Sequence, residues 1–153
     1  MLPFPNVELM NVAISDSIGT ANFYLENKDE NMPTWGNSLT INKWYDSQKG
    51  TTVRVRTVKL SEFITKEVDL IKLDVEGTEE IVVREIEPKM NLVKNIFMEF
   101  HGSSSNPDNN ELRIIDILSK NEFDIKVNQD WKFIDESEIE RPDPYWLSIY
   151  AEK

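Results

Sequence analysis

The segment Val68-Asp69-Leu70-Ile71-Lys72-Leu73-Asp74-Val75-Glu76-Gly77-Thr78-Glu79 decides the fold of this chain. Its apolar residues predict a buried strand, and the acids and glycine after them predict a turn from the edge of a sheet into a helix. Side chains alternate along a strand, so we expect Asp74 and Glu76 to share a face at the carboxyl end, where open α/β sheets hold ligands. Gly77 permits the sharp turn, and Thr78 and Glu79 can offer oxygens to the first amides of the helix.

A second segment, Asn95-Ile96-Phe97-Met98-Glu99-Phe100-His101-Gly102, repeats this plan. It is a short apolar run that ends in an acid, the only histidine of the chain and a glycine. Glu99 and His101 are two residues apart, so they also share a face of their strand. If the two strands are parallel neighbours, their four titratable side chains meet at one rim of the sheet, which predicts a catalytic or binding site there.

Composition limits the function classes. The 153 residues form one domain, 1–153, and carry 28 acidic against 17 basic residues, a formal net charge of −11. That charge repels nucleic-acid phosphates and anionic lipid surfaces. There are no cysteines, no apolar run approaches the roughly 20 residues of a membrane-spanning helix, and the start lacks the features of a signal peptide. We therefore expect a soluble cytoplasmic protein without nucleic-acid or membrane partners.

The remaining pattern predicts alternating strands and helices. The first two predicted strands read as a hairpin or a sharp corner, and either Asn109 or Asn110 can cap the last helix. In that helix, Leu112, Ile115 and Leu118 recur at helical spacing and predict an apolar stripe. Further strands are predicted at 7–14, 20–25, 52–58, 122–127, 131–134 and 145–151, and helices at 60–66, 79–84 and 111–120. This order predicts an α/β layered fold whose mixed sheet is parallel at its centre and antiparallel toward the carboxyl end of the chain.

The stretch 26–50 has little periodicity but contains Trp35, Trp44 and Tyr45. Aromatic side chains in a polar loop either anchor the loop or form a wall on which a flat acceptor can stack. Loop anchoring is the simpler interpretation.

The motifs quoted above resemble a known family. The run 68–79, followed by Ile96-Phe97-Met98-Glu99-Phe100-His101, closely resembles the second half of FkbM-type S-adenosylmethionine-dependent methyltransferases. Residues 11–16 and 19–24 resemble that family's third strand and the turn after it, and residues 55–60 resemble the strand before its acidic motif. The similarity covers roughly residues 6–102, and the remainder fits the family's final helix and strands.

The resemblance implies a Rossmann-like class I methyltransferase sheet that binds S-adenosylmethionine. It also implies methylation of a hydroxyl group on a small-molecule or glycan acceptor. The positions that match the family's motifs carry the implied roles: catalytic roles fall on Asp74, Glu76, Glu99 and His101, and cofactor contacts fall on Ser15, Asp16 and Asp74, with Ser15 and Asp16 near the adenine.

The chain departs from the family pattern at its start. The family's first strand, its glycine-rich turn and the acid that holds the ribose are not found, and the five glycines at 19, 36, 50, 77 and 102 are isolated. The resemblance therefore implies a sheet truncated at the N-terminus, with a hydrophobic edge beside the strand that begins at Val68. A complementing N-terminal half or a second copy of the chain could cover that edge.

These features support three hypotheses. The first is an O-methyltransferase in which His101 or a carboxylate removes the acceptor's proton; neighbouring carboxylates favour the imidazolium form, while burial opposes it. The second is a non-catalytic interaction module that pairs its open sheet edge with a partner. The third is a divalent-metal site built from the four rim residues. The structural alternatives are helix capping by Asp74 and Glu76, and a bond from His101 to loop backbone.

Overall fold

The computed structural model describes residues 6–25, 36–41 and 50–153. Its strands are β1 (Ala13–Ile14), β2 (Gly19–Leu25), β3 (Thr51–Val58), β4 (Ile71–Leu73), β5 (Asn95–Gly102), β6 (Asp124–Gln129), β7 (Lys132–Ile134) and β8 (Tyr145–Glu152). The α-helices are α1 (Glu79–Ile86) and α2 (Glu111–Lys120), and short 3₁₀ helices span Leu60–Glu62, Glu87–Leu92 and Glu136–Glu138. Among these helices, none is long and apolar enough to cross a membrane.

The strands form two mixed sheets, which agrees with the predicted α/β class. The smaller sheet has the order β1-β3-β2, and the larger has the order β4-β5-β8-β6-β7. In the larger sheet β4 and β5 are parallel and the other described pairs are antiparallel. The parallel pair lies at one edge of this sheet and not at its centre, because β8 returns antiparallel beside β5.

The N-terminal part differs from the sequence prediction. The strand expected over 7–14 is reduced to Ala13–Ile14. Val7, Leu9 and Met10 before it are exposed, so little burial stabilises an extended strand there. β1 and β2 form no hairpin, since β3 lies between them and pairs with both. The helix expected over 60–66 is a single 3₁₀ turn whose Ser61 donates to the Glu85 carboxylate from its amide (3.0 Å) and its hydroxyl (2.5 Å).

Helix α2 spans Glu111–Lys120, which confirms the predicted bounds of 111–120. Asn110 is the N-cap, and its side chain accepts a hydrogen bond from the Arg113 amide at 3.1 Å. The apolar face that meets the core is rotated from the predicted stripe, because Leu112 is 44% exposed while Ile114 and Leu118 are fully buried. Two adjacent apolar pairs, Ile114–Ile115 and Ile117–Leu118, are buried and outweigh a stripe that starts at Leu112.

The hydrophobic core lies between the two α-helices and one face of the larger sheet. Along β5, Ile96, Met98 and Phe100 are buried and pack in one cluster with apolar residues of α1, α2 and β8. The alternate residues of β5 point to the opposite face and are partly exposed. Glu99 and His101 therefore lie on the sheet face that α1 and α2 do not cover.

The turn between β4 and α1 has two consecutive residues with positive φ, Glu76 at 55° and Gly77 at 98°. Side chains from two other loops hold it: the Ser38 hydroxyl donates to the Glu76 carbonyl at 2.5 Å, and the Asn106 amide donates to the Gly77 carbonyl at 2.7 Å. A Cβ on Gly77 would lie 3.1 Å from Asn106 Nδ2. This turn is therefore specified by glycine and by contacts from distant residues.

We expect Gly77→Ala to lower the free energy of unfolding by about 1–3 kcal/mol, because alanine adopts this backbone region only with strain. Gly19→Ala is the matched control. Its added methyl would come no nearer than 4.0 Å to Thr57 Oγ1, and Gly19 has no positive φ, so this variant should lose no stability. Urea unfolding of both variants measures the difference, and equal stabilities would contradict the assignment.

Candidate active site

The site is the rim at the carboxyl ends of β4 and β5. The two strands are parallel neighbours, as predicted, with Leu73 opposite Met98. The residues that follow each of them therefore leave the pairing at the same end of the sheet. The rim consists of Lys72, Asp74, Glu76, Glu99 and His101.

Lys72 joins the two strands at this rim. Its ammonium lies 2.9 Å from Asp74 Oδ2 and 3.2 Å from Glu99 Oε1. The hydrogen bond to Asp74 raises the pKa of Lys72, burial opposes this, and Glu99 adds to the increase. The sequence analysis assigned no role to Lys72, although its position two residues before Asp74 on one strand face was a usable signal.

His101 is held between two carboxylates. Its Nδ1 lies 3.0 Å from Glu79 Oε1, and its Nε2 lies 3.7 Å from Glu76 Oε2. Burial lowers the pKa of His101, but the hydrogen bond to Glu79 and the charges of Glu79, Glu76 and Asp74 raise it more, so the pKa lies above its ordinary value. The ring therefore contacts carboxylates and not the loop backbone, which was the structural alternative.

Glu76 is the most buried of the three rim acids: its side chain is 23% exposed, against 34% for Asp74 and 44% for Glu99. Burial raises the pKa of Glu76, the charges of Asp74, Glu79 and Glu99 raise it further, and His101 opposes them. Glu76 and His101 thus both hold a proton to higher pH than their free side chains do.

Glu79 is fully buried directly behind His101. Its carboxylate accepts from the Gly77 amide, with distances of 3.0 Å and 3.1 Å to its two oxygens. It also accepts from Asn109 Nδ2 at 2.6 Å. The amide of Asn109 donates further to the His101 carbonyl at 3.0 Å, and its oxygen accepts from the Glu80 amide at 2.9 Å.

The start of α1 is therefore organised differently from the prediction. We expected oxygens of Thr78 and Glu79 to accept hydrogen bonds from the first amides of this helix. The Thr78 hydroxyl instead donates to the Val75 carbonyl at 3.2 Å. Asn109 accepts from the Glu80 amide instead. Asn109 comes from a loop 30 residues away, and no sequence spacing identified it as a partner of Glu79.

The rim carries one cluster with the chemistry of metal ligands. Asp74, Glu76 and His101 each offer one atom, and these atoms lie within 4.8 Å of one another. Glu99, which the metal hypothesis also included, contacts the Lys72 ammonium, as does Asp74. The cation that these two carboxylates contact is thus a lysine, and no metal ligand is assigned at the rim.

The predicted adenine contacts, Ser15 and Asp16, lie just after β1 in the smaller sheet. The Ser15 amide donates to the Val58 carbonyl at 2.9 Å, and its hydroxyl donates to Asp16 Oδ1 at 3.2 Å. The described contacts do not join this pair to the rim. Trp35, Trp44 and Tyr45, the predicted aromatic wall, lie outside the described residues.

Comparison with known proteins gives one family. The family model described as "Methyltransferase FkbM domain" matches residues 2–125. No curated protein and no solved structure matches the chain. The matched range contains the whole rim together with Glu79 and Asn109, and it confirms the resemblance drawn from the motif.

We expect an NMR titration of His101, the only histidine in the chain, to give a pKa above the ordinary value of about 6.5. Since the charge of Glu76 helps to raise this pKa, Glu76→Gln should lower it. Glu152→Gln is the control, because Glu152 pairs with Lys126 elsewhere in the sheet. An unchanged pKa in Glu76→Gln would contradict the charge coupling.

The raised pKa of His101 also makes the free energy of unfolding depend on pH. Because the folded state raises the pKa of His101, its protonated form contributes stability that is fully present below the unfolded pKa and is lost as pH rises through the folded pKa. The free energies of unfolding of the wild-type protein and His101→Gln should therefore differ more at pH 6 than at about pH 9.

Proposed function

Because the chain belongs to the methyltransferase FkbM domain family, we propose that it is an S-adenosylmethionine-dependent O-methyltransferase. Its substrate is a hydroxyl group of a sugar or another small polar metabolite. The observation that carries this proposal is the rim itself, where His101 Nε2 and the carboxylates of Asp74 and Glu76 converge. The cysteine-free, acidic composition agrees with a cytoplasmic location.

The donor groups of the rim fit a cationic methyl donor. Carboxylates attract a sulfonium, and Asp74 and Glu76 lie at the carboxyl end of β4, where α/β sheets hold ligands. Ser15 and Asp16 offer a hydroxyl and a carboxylate that suit the adenine amino group. S-adenosylmethionine supplies an electrophilic methyl group and leaves as a neutral thioether. The 153 residues contain no glycine-rich turn for its methionine end.

In the proposed reaction His101 acts as general base. Its Nε2 accepts the proton of the acceptor hydroxyl while the oxygen forms its bond to the methyl carbon and the carbon–sulfur bond breaks. The resulting imidazolium is stabilised by the carboxylates of Glu79 and Glu76 on its two sides. The contribution of such a base is typically about 10²–10⁴-fold in rate.

The surroundings of His101 favour a polar acceptor with a flat face. Asp74 and Glu99 offer carboxylate oxygens that can accept hydrogen bonds from hydroxyl groups. On β8, Trp146 lies directly opposite His101 in the antiparallel pairing and is 58% exposed. An indole face next to hydrogen-bonding carboxylates is suited to stacking on a sugar ring.

We expect isothermal titration to detect binding of S-adenosylmethionine and of its demethylated product, S-adenosylhomocysteine. Asp74→Asn removes a negative charge near the sulfonium, a loss of about 1 kcal/mol or roughly fivefold in affinity. The product lacks the positive charge, so its affinity should change less. Glu152→Gln, a carboxylate paired with a lysine at the far end of the sheet, is the control. No heat with either ligand at millimolar concentration would overturn the proposal.

A second candidate function is an interaction module, favoured by the outer edge of β4. In the described part of the chain β4 pairs only with β5, and the neighbouring Leu70 is 58% exposed. An unpaired strand edge is a template for an added strand. The proposed occupant is a strand of a second polypeptide, either a complementing half or another copy of this chain.

Sedimentation velocity and native mass spectrometry distinguish the two functions. The interaction module predicts a dimer, or a complex with a co-purifying chain, at micromolar concentration. A monodisperse monomer that binds S-adenosylmethionine would exclude this second function and support the first.

A further inference from the structure

The two nitrogens of the His101 ring have different surroundings, and Glu79 distinguishes them. We propose that Glu79 is the positioning residue of the site: it holds His101 with the proton on Nδ1, so that Nε2 is left free to accept a proton. The consequence for catalysis rests on the proposed methyltransferase function. The assignment of the proton itself rests only on the geometry of the buried cluster.

Glu79 can serve this role because its partners are hydrogen-bond donors. The Gly77 amide and Asn109 Nδ2 can only donate, and together they contact both carboxylate oxygens. A carboxylate that only accepts hydrogen bonds satisfies both of these donors. His101 Nδ1, 3.0 Å from Oε1, must then carry a hydrogen to bond with Glu79.

Asn109 makes this geometry rigid. Its Nδ2 donates both to Glu79, at 2.6 Å, and to the backbone carbonyl of His101, at 3.0 Å. Its oxygen accepts from the Glu80 amide at 2.9 Å. One side chain thus fixes the positioning carboxylate, the start of α1 and the end of β5 relative to one another, and preorganisation of this kind keeps a functional ring in one orientation.

Nε2 faces the open rim. Its distance of 3.7 Å to Glu76 Oε2 is too long for a hydrogen bond, so its lone pair can meet an acceptor hydroxyl. The charged groups around it are Asp74 and Glu76 from the turn after β4, Glu79 behind the ring, and the Glu99–Lys72 pair on the same face. A histidine base whose other nitrogen bonds a buried carboxylate is the arrangement in which a third group orients the base.

The first test reads the tautomer of His101 in the wild-type protein. In a ¹⁵N-labelled, tag-free sample, long-range ¹H–¹⁵N correlation shows both ring nitrogens, and the chain has no second histidine to confuse the assignment. Free neutral imidazole of histidine prefers the proton on Nε2. We expect the opposite tautomer, Nδ1–H, at a pH above the pKa of the ring. Observation of Nε2–H would overturn the proposal without any variant.

The second test uses Glu79→Gln against Glu80→Gln. A glutamine at 79 replaces one acceptor oxygen by an NH₂ group. Asn109 Nδ2 is a donor 2.6 Å from Oε2, so the oxygen of the new amide should stay on that side and its NH₂ should face Nδ1. Nδ1 must then accept, so the proton should move to Nε2. Glu80 is a matched control: it is also buried, on the same helix turn, but it bonds Arg84, Arg113 and the Asn110 amide. Glu80→Gln should leave the tautomer unchanged. A tautomer that stays Nδ1–H in folded Glu79→Gln would overturn the proposal.

The third test links the tautomer to catalysis by transfer of labelled methyl groups to a panel of monosaccharides and polyols. Glu79→Gln should lower kcat by about 10²-fold in the wild-type background but add little in His101→Gln, because both changes remove the same base. Additive losses would overturn the positioning role. If the wild-type protein transfers no methyl group yet shows Nδ1–H, the proposed function fails, while the assignment of Glu79 as the residue that fixes the proton is supported.

Discussion

The structure depends on one buried negative charge. The Glu79 carboxylate has no solvent-exposed surface, and an ion in such a place costs several kcal/mol unless donors replace the lost water. The donors come from three parts of the chain: the turn after β4, the end of β5 and the loop before α2. The first two of these parts carry Asp74, Glu76, Glu99 and His101, so the requirement to satisfy one carboxylate also fixes the position of the catalytic candidates.

The layered arrangement explains why the rim is accessible. The described helices cover one face of the larger sheet, and strict alternation along β5 divides its residues between the two faces. Met98 and Phe100 are fully buried against the helices, while Glu99 and His101 reach the other face. A sheet that was covered on both faces by these same helices could not present a titratable cluster to a substrate.

The sequence predicted the parts of this site that depend on local pattern. Two-residue spacing placed Glu99 and His101 on one face, and the parallel pairing that brings them to Asp74 and Glu76 is confirmed. The position of Asn109 could not be predicted, since it reaches the site from 30 residues away. Pairing of β1 and β2 through β3 was missed for the same reason. Strand order depends on contacts between distant residues, and adjacency in the sequence favoured a hairpin that the fold does not form.

The carboxylates impose opposing demands on His101. The hydrogen bond to Glu79 orients the His101 ring, but this bond and the charges of Glu79, Glu76 and Asp74 also raise the pKa of His101, which leaves less of the neutral base near pH 7. In the proposed enzyme, binding of the methyl donor would counteract the raised pKa of His101. A positive charge placed among the same carboxylates disfavours a second positive charge on the adjacent ring, so the pKa of His101 should fall when a cationic methyl donor occupies the rim. The base would then become available in the complex in which it is needed, and the acids that hold the proton in the free protein would instead neutralise the donor.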